Sequence, residues 1–178
     1  MKKIFSLMLA AVLALGLTAM AWAVATEPGA SGGTTYTDDD RITIEKCYRL
    51  VNDGTVSPAE TFHFSLTTLG VTDSTETLAT MPRFTDANGD LITGFDISFA
   101  EGEATAAGAV KSYTLMLPAY DTVGIYTYEI AEVVDDDAHT AGVTYNTQKL
   151  LLKVTVIQTE DGRIRVAAVH LGDEDGDK

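Results

Sequence analysis

Residues 124–132, GIYTYEIAE, alternate between two kinds of side chain with the period of a β-strand. Tyr126, Tyr128 and Ile130 share one face, and Glu132 closes the same row. A glutamate at this point either lies in water, where the strand leaves the sheet, or is buried, and burial favours the uncharged form of a carboxyl group. Because glutamate is seldom buried alone, a buried Glu132 needs a partner elsewhere in the chain.

A second charged residue interrupts an apolar row in residues 41–51, RITIEKCYRLV. Lys46 falls on a strand face whose other members are apolar. These members are Ile42, Ile44, Tyr48 and Leu50. One interpretation is an edge strand whose lysine reaches water along its apolar stem. The other is a lysine that faces the core, as Glu132 does in its own strand.

Alternation with a period of two recurs along the chain, and no segment after the first 23 residues has the period of a helix. Turn sequences separate the alternating segments, among them NDG at 52–54 and EDG at 160–162. We predict a long strand that begins near Val143 with a bulge near Thr147, followed by a hairpin at 160–162. The pattern predicts an all-β fold, an immunoglobulin-like β-sandwich of about seven strands.

The chain begins with the basic start, apolar run and small-residue exit of a secretory signal peptide. We predict a signal peptide over residues 1–23 with cleavage after Ala23, or after Ala25 as a second choice, and a flexible leader over 24–40. The β-sandwich domain is expected over 41–172, and residues 173–178 are expected to be an acidic tail or a truncated linker to the last strand. No later segment of the sequence is apolar enough to cross a membrane, so we predict a secreted protein that is not an integral membrane protein.

The net charge excludes a nucleic-acid-binding protein, and the cysteine content excludes a domain that is held together by internal disulfides. Without the signal peptide the chain has 10 basic and 26 acidic residues, a formal net charge of −16. Such a chain is repelled by phosphate backbones, which excludes nucleic-acid binding. Cys47 is the only cysteine, so we expect an exported domain of this size to be stabilised by packing, a metal or another covalent link rather than by an internal disulfide.

The sequence contains no enzyme motif and predicts no cofactor. A nucleophile elbow, an HExxH motif and a glycine-rich phosphate loop are all missing from it. Two acidic stretches, 86–90 and 173–177, offer oxygen ligands at alternate positions, but neither has the downstream glutamate that completes a calcium loop. We therefore interpret both stretches as acidic turns and predict no metal site.

Several segments together resemble the streptococcal pilin isopeptide-linkage family. They are ITIEKCY, PAETFHFSL, FDISFAEGEA, GIYTYEIAE and GVTYNTQKLLLKVTV, in that order between residues 42 and 169. Members of that family are similar to the B-type repeat of collagen adhesins. The resemblance implies a structural surface or pilus subunit of a Gram-positive bacterium, whose strands are joined by a self-formed Lys–Asn amide.

The resemblance also implies roles for the two charged residues. Lys46 matches the lysine nucleophile, and Glu132 matches the acid that catalyses amide formation. Desolvation favours the neutral amine and the protonated carboxyl group that this chemistry needs. The aromatic row of Tyr126 and Tyr128 is expected to exclude water from the pair.

The reacting asparagine of the family lies on a final strand, in a motif like FTN, which is not found here. Asn52, Asn88 and Asn146 are the only asparagines, and all three have the sequence context of turns or loops. We expect the sandwich to lack its final strand and the acceptor asparagine to lie beyond Lys178. We do not expect the crosslink to close in the 178-residue chain.

The implied partners are other pilin subunits, joined through sortase, on the cell surface, cell wall or pilus. No LPxTG-like sorting signal is present, so sortase attachment rests on the resemblance alone. The alternative function is an adhesin module of the same fold that binds a host matrix protein or a glycan through loops such as 135–142. A secreted hydrolase has no supporting residues, and we predict no enzyme beyond the self-modifying chemistry.

Overall fold

The computed structural model describes residues 40–52, 54–86, 88–134 and 140–173. Within these residues, all of the regular secondary structure consists of β-strands. The strands are β1 (Arg41–Tyr48), β2 (Glu60–Thr72), β3 (Gly94–Phe99), β4 (Ala109–Met116), β5 (Gly124–Val133), β6 (Lys149–Gln158) and β7 (Ile164–Asp173). The predicted all-β fold of about seven strands is confirmed.

The strands form two antiparallel sheets. The larger sheet has five strands in the order β3-β2-β5-β6-β7, and the smaller sheet pairs β1 with β4. The core lies between them. Ile44 and Leu115 enter it from the smaller sheet, and Phe62, Tyr126 and Leu152 enter it from the larger one, each 1% exposed or less. Alternation in each strand thus separates a core face from an outer face.

Strand β5 lies between β2 and β6 and is the central strand of the larger sheet. Its burial alternates along its length, as its sequence predicts. The hydroxyl groups of its two buried tyrosines are satisfied by chain segments outside the sheets: Tyr126 donates to the Thr122 carbonyl oxygen at 2.8 Å and Tyr128 to that of Pro82 at 2.9 Å. These hydrogen bonds fix two connections against the core.

The predicted long strand from Val143 is wrong in its first part, because β6 begins only at Lys149. Val143 and Tyr145 pack against the core from a connection instead. The physical reason is local: the side-chain oxygen of Asn146 accepts the Gln148 backbone N–H at 3.0 Å, which closes a turn and competes with strand pairing. The irregularity of β6 lies between Thr155 and Val156 rather than near Thr147.

The turn at 160–162 forms the predicted hairpin between β6 and β7. Gly162 has φ of +83°, a conformation that favours glycine, and its N–H donates to the Thr159 carbonyl oxygen at 2.9 Å. Within the described residues, no helix is long and apolar enough to span a membrane. Ala23, the predicted cleavage point, and the signal peptide around it lie outside the described residues.

Candidate functional site

Lys46 lies on β1 with its side chain directed into the sandwich. Strand β1 alternates so that Ile44, Lys46 and Tyr48 are buried, and Lys46 is only 4% exposed. In the described part of the chain β1 has β4 as its single strand neighbour, so it is an edge strand. Its lysine nevertheless does not reach water, contrary to the interpretation in which the stem carries the amine outward.

Glu132, near the end of β5, is the partner of Lys46. The Lys46 Nζ atom donates to Oε2 of Glu132 at 2.6 Å, and the two side chains are 5% and 3% exposed. The interpretation in which Glu132 is solvated at the strand end therefore does not describe the structure. Removing two charges from water is costly, so a buried pair of this kind depends on close geometry and on further hydrogen bonds.

The aromatic ring beside the pair is Phe62 of β2. The Lys46 Nζ atom lies 4.0 Å from the centre of this ring, within the range of a cation–π contact. Phe62 is in turn surrounded edge-to-face by Tyr48, Phe99 and Tyr145. The sequence-based expectation named Tyr126 and Tyr128 as the aromatic cover of the pair and did not include Phe62. Phe62 is nevertheless one of the alternating apolar residues of its own strand.

Tyr126 and Tyr128 pack elsewhere in the core. Tyr128 meets the ring of Phe84 edge-to-face, and Tyr126 lies against the ring of Tyr120. Their hydroxyl groups bond to the segments described above. The aromatic row of β5 therefore supports the fold, while an aromatic ring from the neighbouring strand lies against the lysine.

The second oxygen of Glu132 is bonded to the connection before β6. Oε1 accepts the backbone N–H of Asn146 at 3.3 Å. A cavity of about 20 Å³ lies beside these groups, which is room for about one water-sized group. Its lining comes from both sheets and from this connection: Ile44, Glu45, Lys46, Phe64, Ile130, Glu132, Asn146, Gln148 and Leu150.

A second lysine lies directly opposite the first. Lys111 of β4 is the cross-strand partner of Lys46, but its Nζ atom bonds to Glu103 at 2.7 Å and to the Ser98 carbonyl oxygen at 2.8 Å. The Lys111 and Glu103 side chains are 38% and 31% exposed. The two opposed lysines therefore each bond to a glutamate outside β1 and β4, one in a buried pair and one in a partly exposed pair, and the second pair is a control for the first.

The predicted acidic turns contain no metal cluster where they are described. In residues 86–90 the Asp86 carboxylate accepts the N–H groups of Asn88 and Asp90 at 2.8 and 2.9 Å. These hydrogen bonds lower the pKa of Asp86, and the bond from the Asp90 N–H has the largest effect. Among the described residues no group of three His, Cys, Asp or Glu side chains is arranged to hold a metal ion. The later part of the second stretch, 174–177, lies outside them.

The chain matches a known protein family over most of its length. A sequence model of FctA, described as a Spy0128-like isopeptide containing domain, matches residues 42–177. The chain belongs to this FctA family. The predicted membership in a streptococcal pilin isopeptide family is thus confirmed. No curated protein matches the chain.

Two solved structures have the same kind of fold as this FctA domain. The major pilin protein of Streptococcus pyogenes shares 18% identity at a TM-score of 0.55, over 80% of this chain and 50% of the pilin. A mutant of the major pilin from the same species shares 19% identity at a TM-score of 0.52, over 76% and 46%. The FctA domain spans about half the length of these pilin chains. At such identities the likeness supports the fold.

Proposed function

We propose that this FctA domain is a structural subunit of a bacterial surface polymer, stabilised by an amide crosslink between Lys46 and an asparagine. Glu132 is the acid in this proposal. The observation that most supports the proposed function is the buried Lys46–Glu132 pair, with 2.6 Å between Nζ and Oε2. Membership in a family of isopeptide-containing domains supports it.

The geometry suits amide formation because one proton exchange within the pair makes the lysine reactive. Moving a proton from Nζ to Oε2 leaves a neutral amine beside a protonated carboxyl group, in surroundings where burial opposes charge. The amine then attacks the amide carbon of the asparagine. The Nζ–Cγ bond forms, the Cγ–Nδ2 bond breaks, and Glu132 transfers a proton from Nζ to Nδ2, which leaves as ammonia.

We assign the acceptor asparagine to a strand that follows Lys178 and pairs with the edge of β1 that no described strand covers. Two contacts support this assignment. Asp173, at the end of β7, lies opposite Leu150 and within 3.4 Å of the Gln148 side chain. The last described residue of β7 therefore lies beside the connection that contacts Glu132, and this supports a following strand that passes near the pair. Fixed geometry of this kind replaces an intermolecular encounter.

Asn146 is in direct contact with the pair, because its backbone N–H donates to Glu132. It lines the same cavity as Lys46, but its side-chain oxygen is engaged by the Gln148 N–H. We therefore do not assign it as the acceptor. The two assignments differ in a simple respect: reaction at Asn146 needs nothing beyond the 178-residue chain, whereas reaction on a following strand needs the downstream sequence.

In this proposal the partners are other pilin subunits joined by a sortase, and the location is the cell surface. A secreted chain with the predicted signal peptide fits that route. The adhesin alternative relied on the loop 135–142, of which residues 135–139 lie outside the described part of the chain, and no described contact favours it. The single proposed function is therefore structural.

The intact mass of the protein tests the crosslink. We would compare the mature chain, residues 24–178, with a form that also includes its native downstream sequence. We expect the longer form alone to be lighter by one ammonia molecule, and Lys46→Ala and Glu132→Ala each to restore the full mass. Lys111→Ala is the matched control and is expected to keep the deficit. A deficit in the shorter chain would instead show that the acceptor lies within that chain, and full mass in both forms would overturn the proposal.

A further inference from the structure

The two oxygens of Glu132 are held by different parts of the chain. Oε2 accepts the Lys46 amine from β1, and Oε1 accepts the backbone N–H of Asn146, 14 positions further along the chain, from the connection before β6. The Asn146 side chain is itself fixed, because its oxygen accepts the Gln148 N–H at 3.0 Å. The proposed reaction assigns no role to Asn146.

The contact from Asn146 distinguishes the two oxygens chemically. A protonated carboxyl group has one O–H oxygen and one carbonyl oxygen. A backbone N–H is a donor only, and the carbonyl oxygen accepts its hydrogen bond better than the O–H oxygen does, although both have lone pairs. While Asn146 donates to Oε1, the favourable position for the acidic proton is Oε2, which is the oxygen that faces Lys46.

We propose that the Asn146 backbone N–H is a positioning group for the crosslinking reaction: it keeps Oε1 as an acceptor and so directs the proton of Glu132 to Oε2. The proton that leaves Nζ then stays on the oxygen that faces the reacting amine, and the net charge of the pair remains zero through the exchange. The turn made by the Asn146 side chain holds this N–H in place. This inference rests on the proposed function.

The test measures the rate of ammonia loss in the form that includes the downstream sequence. Chains made in a short cell-free synthesis pulse are quenched in denaturant at successive times, and their intact masses are determined. Asn146→Pro removes the N–H and is expected to slow the reaction at least about tenfold, the factor that corresponds to one lost hydrogen bond to an ionisable group. Asn146→Asp keeps both the N–H and the turn and is expected to react faster than Asn146→Pro.

A further variant and a folding control separate a positioning role of the Asn146 N–H from an effect of the substitutions on folding. Asn146→Ala keeps the N–H but loses the side-chain bond to Gln148, and a rate between those of Asn146→Asp and Asn146→Pro is expected. Each substitution is also made in a Lys46→Ala background, where no crosslink forms, and the thermal midpoint reports whether the chain folds. A slow rate in a chain whose midpoint is preserved supports positioning.

Two results overturn the inference, and they are distinguishable from failure of the proposed function. If Asn146→Pro folds and reacts as fast as Asn146→Asp, the N–H has no positioning role. If Asn146→Pro does not fold, equal rates for Asn146→Ala and Asn146→Asp show that the turn does not hold the N–H in position, which contradicts the inference as stated. If the unmodified chain loses no ammonia, the proposed function fails first and the inference falls with it.

Discussion

Lys46 Nζ and Glu132 Oε2 lie 2.6 Å apart, although 86 positions separate the two residues in the sequence. They come from opposite sheets, and the fold brings both side chains into the core. A buried pair of this kind is retained only if neither charge is left alone, because an unpaired buried charge is strongly destabilising. The consequences of this pairing can be measured in the 178-residue chain, without any crosslink.

Truncating one member of the pair is expected to destabilise the domain. Lys46→Ala leaves the Glu132 carboxyl group buried without its partner and is expected to lower the free energy of unfolding by about 3–5 kcal/mol. Lys111→Ala, in the directly opposite position of β4, is expected to cost far less because water already screens its pair with Glu103. Denaturant unfolding of the two variants checks this, and equal losses would contradict it.

The contact between Phe62 and the Lys46 amine predicts a specific coupling. In a double-mutant cycle, Phe62→Leu is expected to cost more in the wild-type chain than in a Lys46→Met background, by about 0.5–2 kcal/mol. Phe84→Leu removes an equally buried ring that packs on Tyr128 instead. The same cycle with Phe84 should give a coupling near zero. A Phe62 coupling no larger than that of Phe84 would show that the ring acts only as core volume.

Alkaline pH should weaken the fold through the buried tyrosines. Burial raises the pKa of Tyr128 from its ordinary 10.0 to about 12. The unfolded chain therefore releases this proton while the folded chain keeps it, so stability is full below pH 10 and falls as the pH rises from 10 towards 12. Burial also raises the pKa of Tyr120, so Tyr128→Phe is expected to flatten only part of the decline. Unfolding free energies at pH 9, 10 and 11 test this, and an unchanged slope in Tyr128→Phe would refute it.

Gly94 is expected to be intolerant of any side chain. A Cβ atom at this position would collide with the backbone carbonyl oxygen of Phe64 on the paired strand, where β2 and β3 meet. Gly94→Ala should therefore destabilise the domain by about 1–3 kcal/mol, as overpacking does. Gly70, in the irregular part of β2, has open space at the same position and serves as the control. Thermal unfolding of both alanine variants should separate them, and a Gly94→Ala midpoint equal to that of Gly70→Ala would count against this account of the β2–β3 contact.

The sequence pattern predicted the strands and their faces better than it predicted the contacts between them. Alternation identified the buried residues of β5 and the inward position of Lys46, because side chains of a strand alternate in direction. It did not indicate which aromatic ring lies over the lysine, since Phe62 reaches Lys46 across the two sheets and no local pattern records that packing. The start of β6 was missed because Val143 and Tyr145 continue the alternation of the strand, while the turn at Asn146 ends the pairing.

The most direct test of the central claim is the identity of the residues that the crosslink joins. The form with the native downstream sequence would be digested with a protease and its peptides sequenced by tandem mass spectrometry. The account predicts one branched peptide, in which Lys46 is bonded through Nζ to the side chain of an asparagine that follows Lys178. A linear Lys46 peptide, or a branch at Lys111 or Asn146, would contradict it.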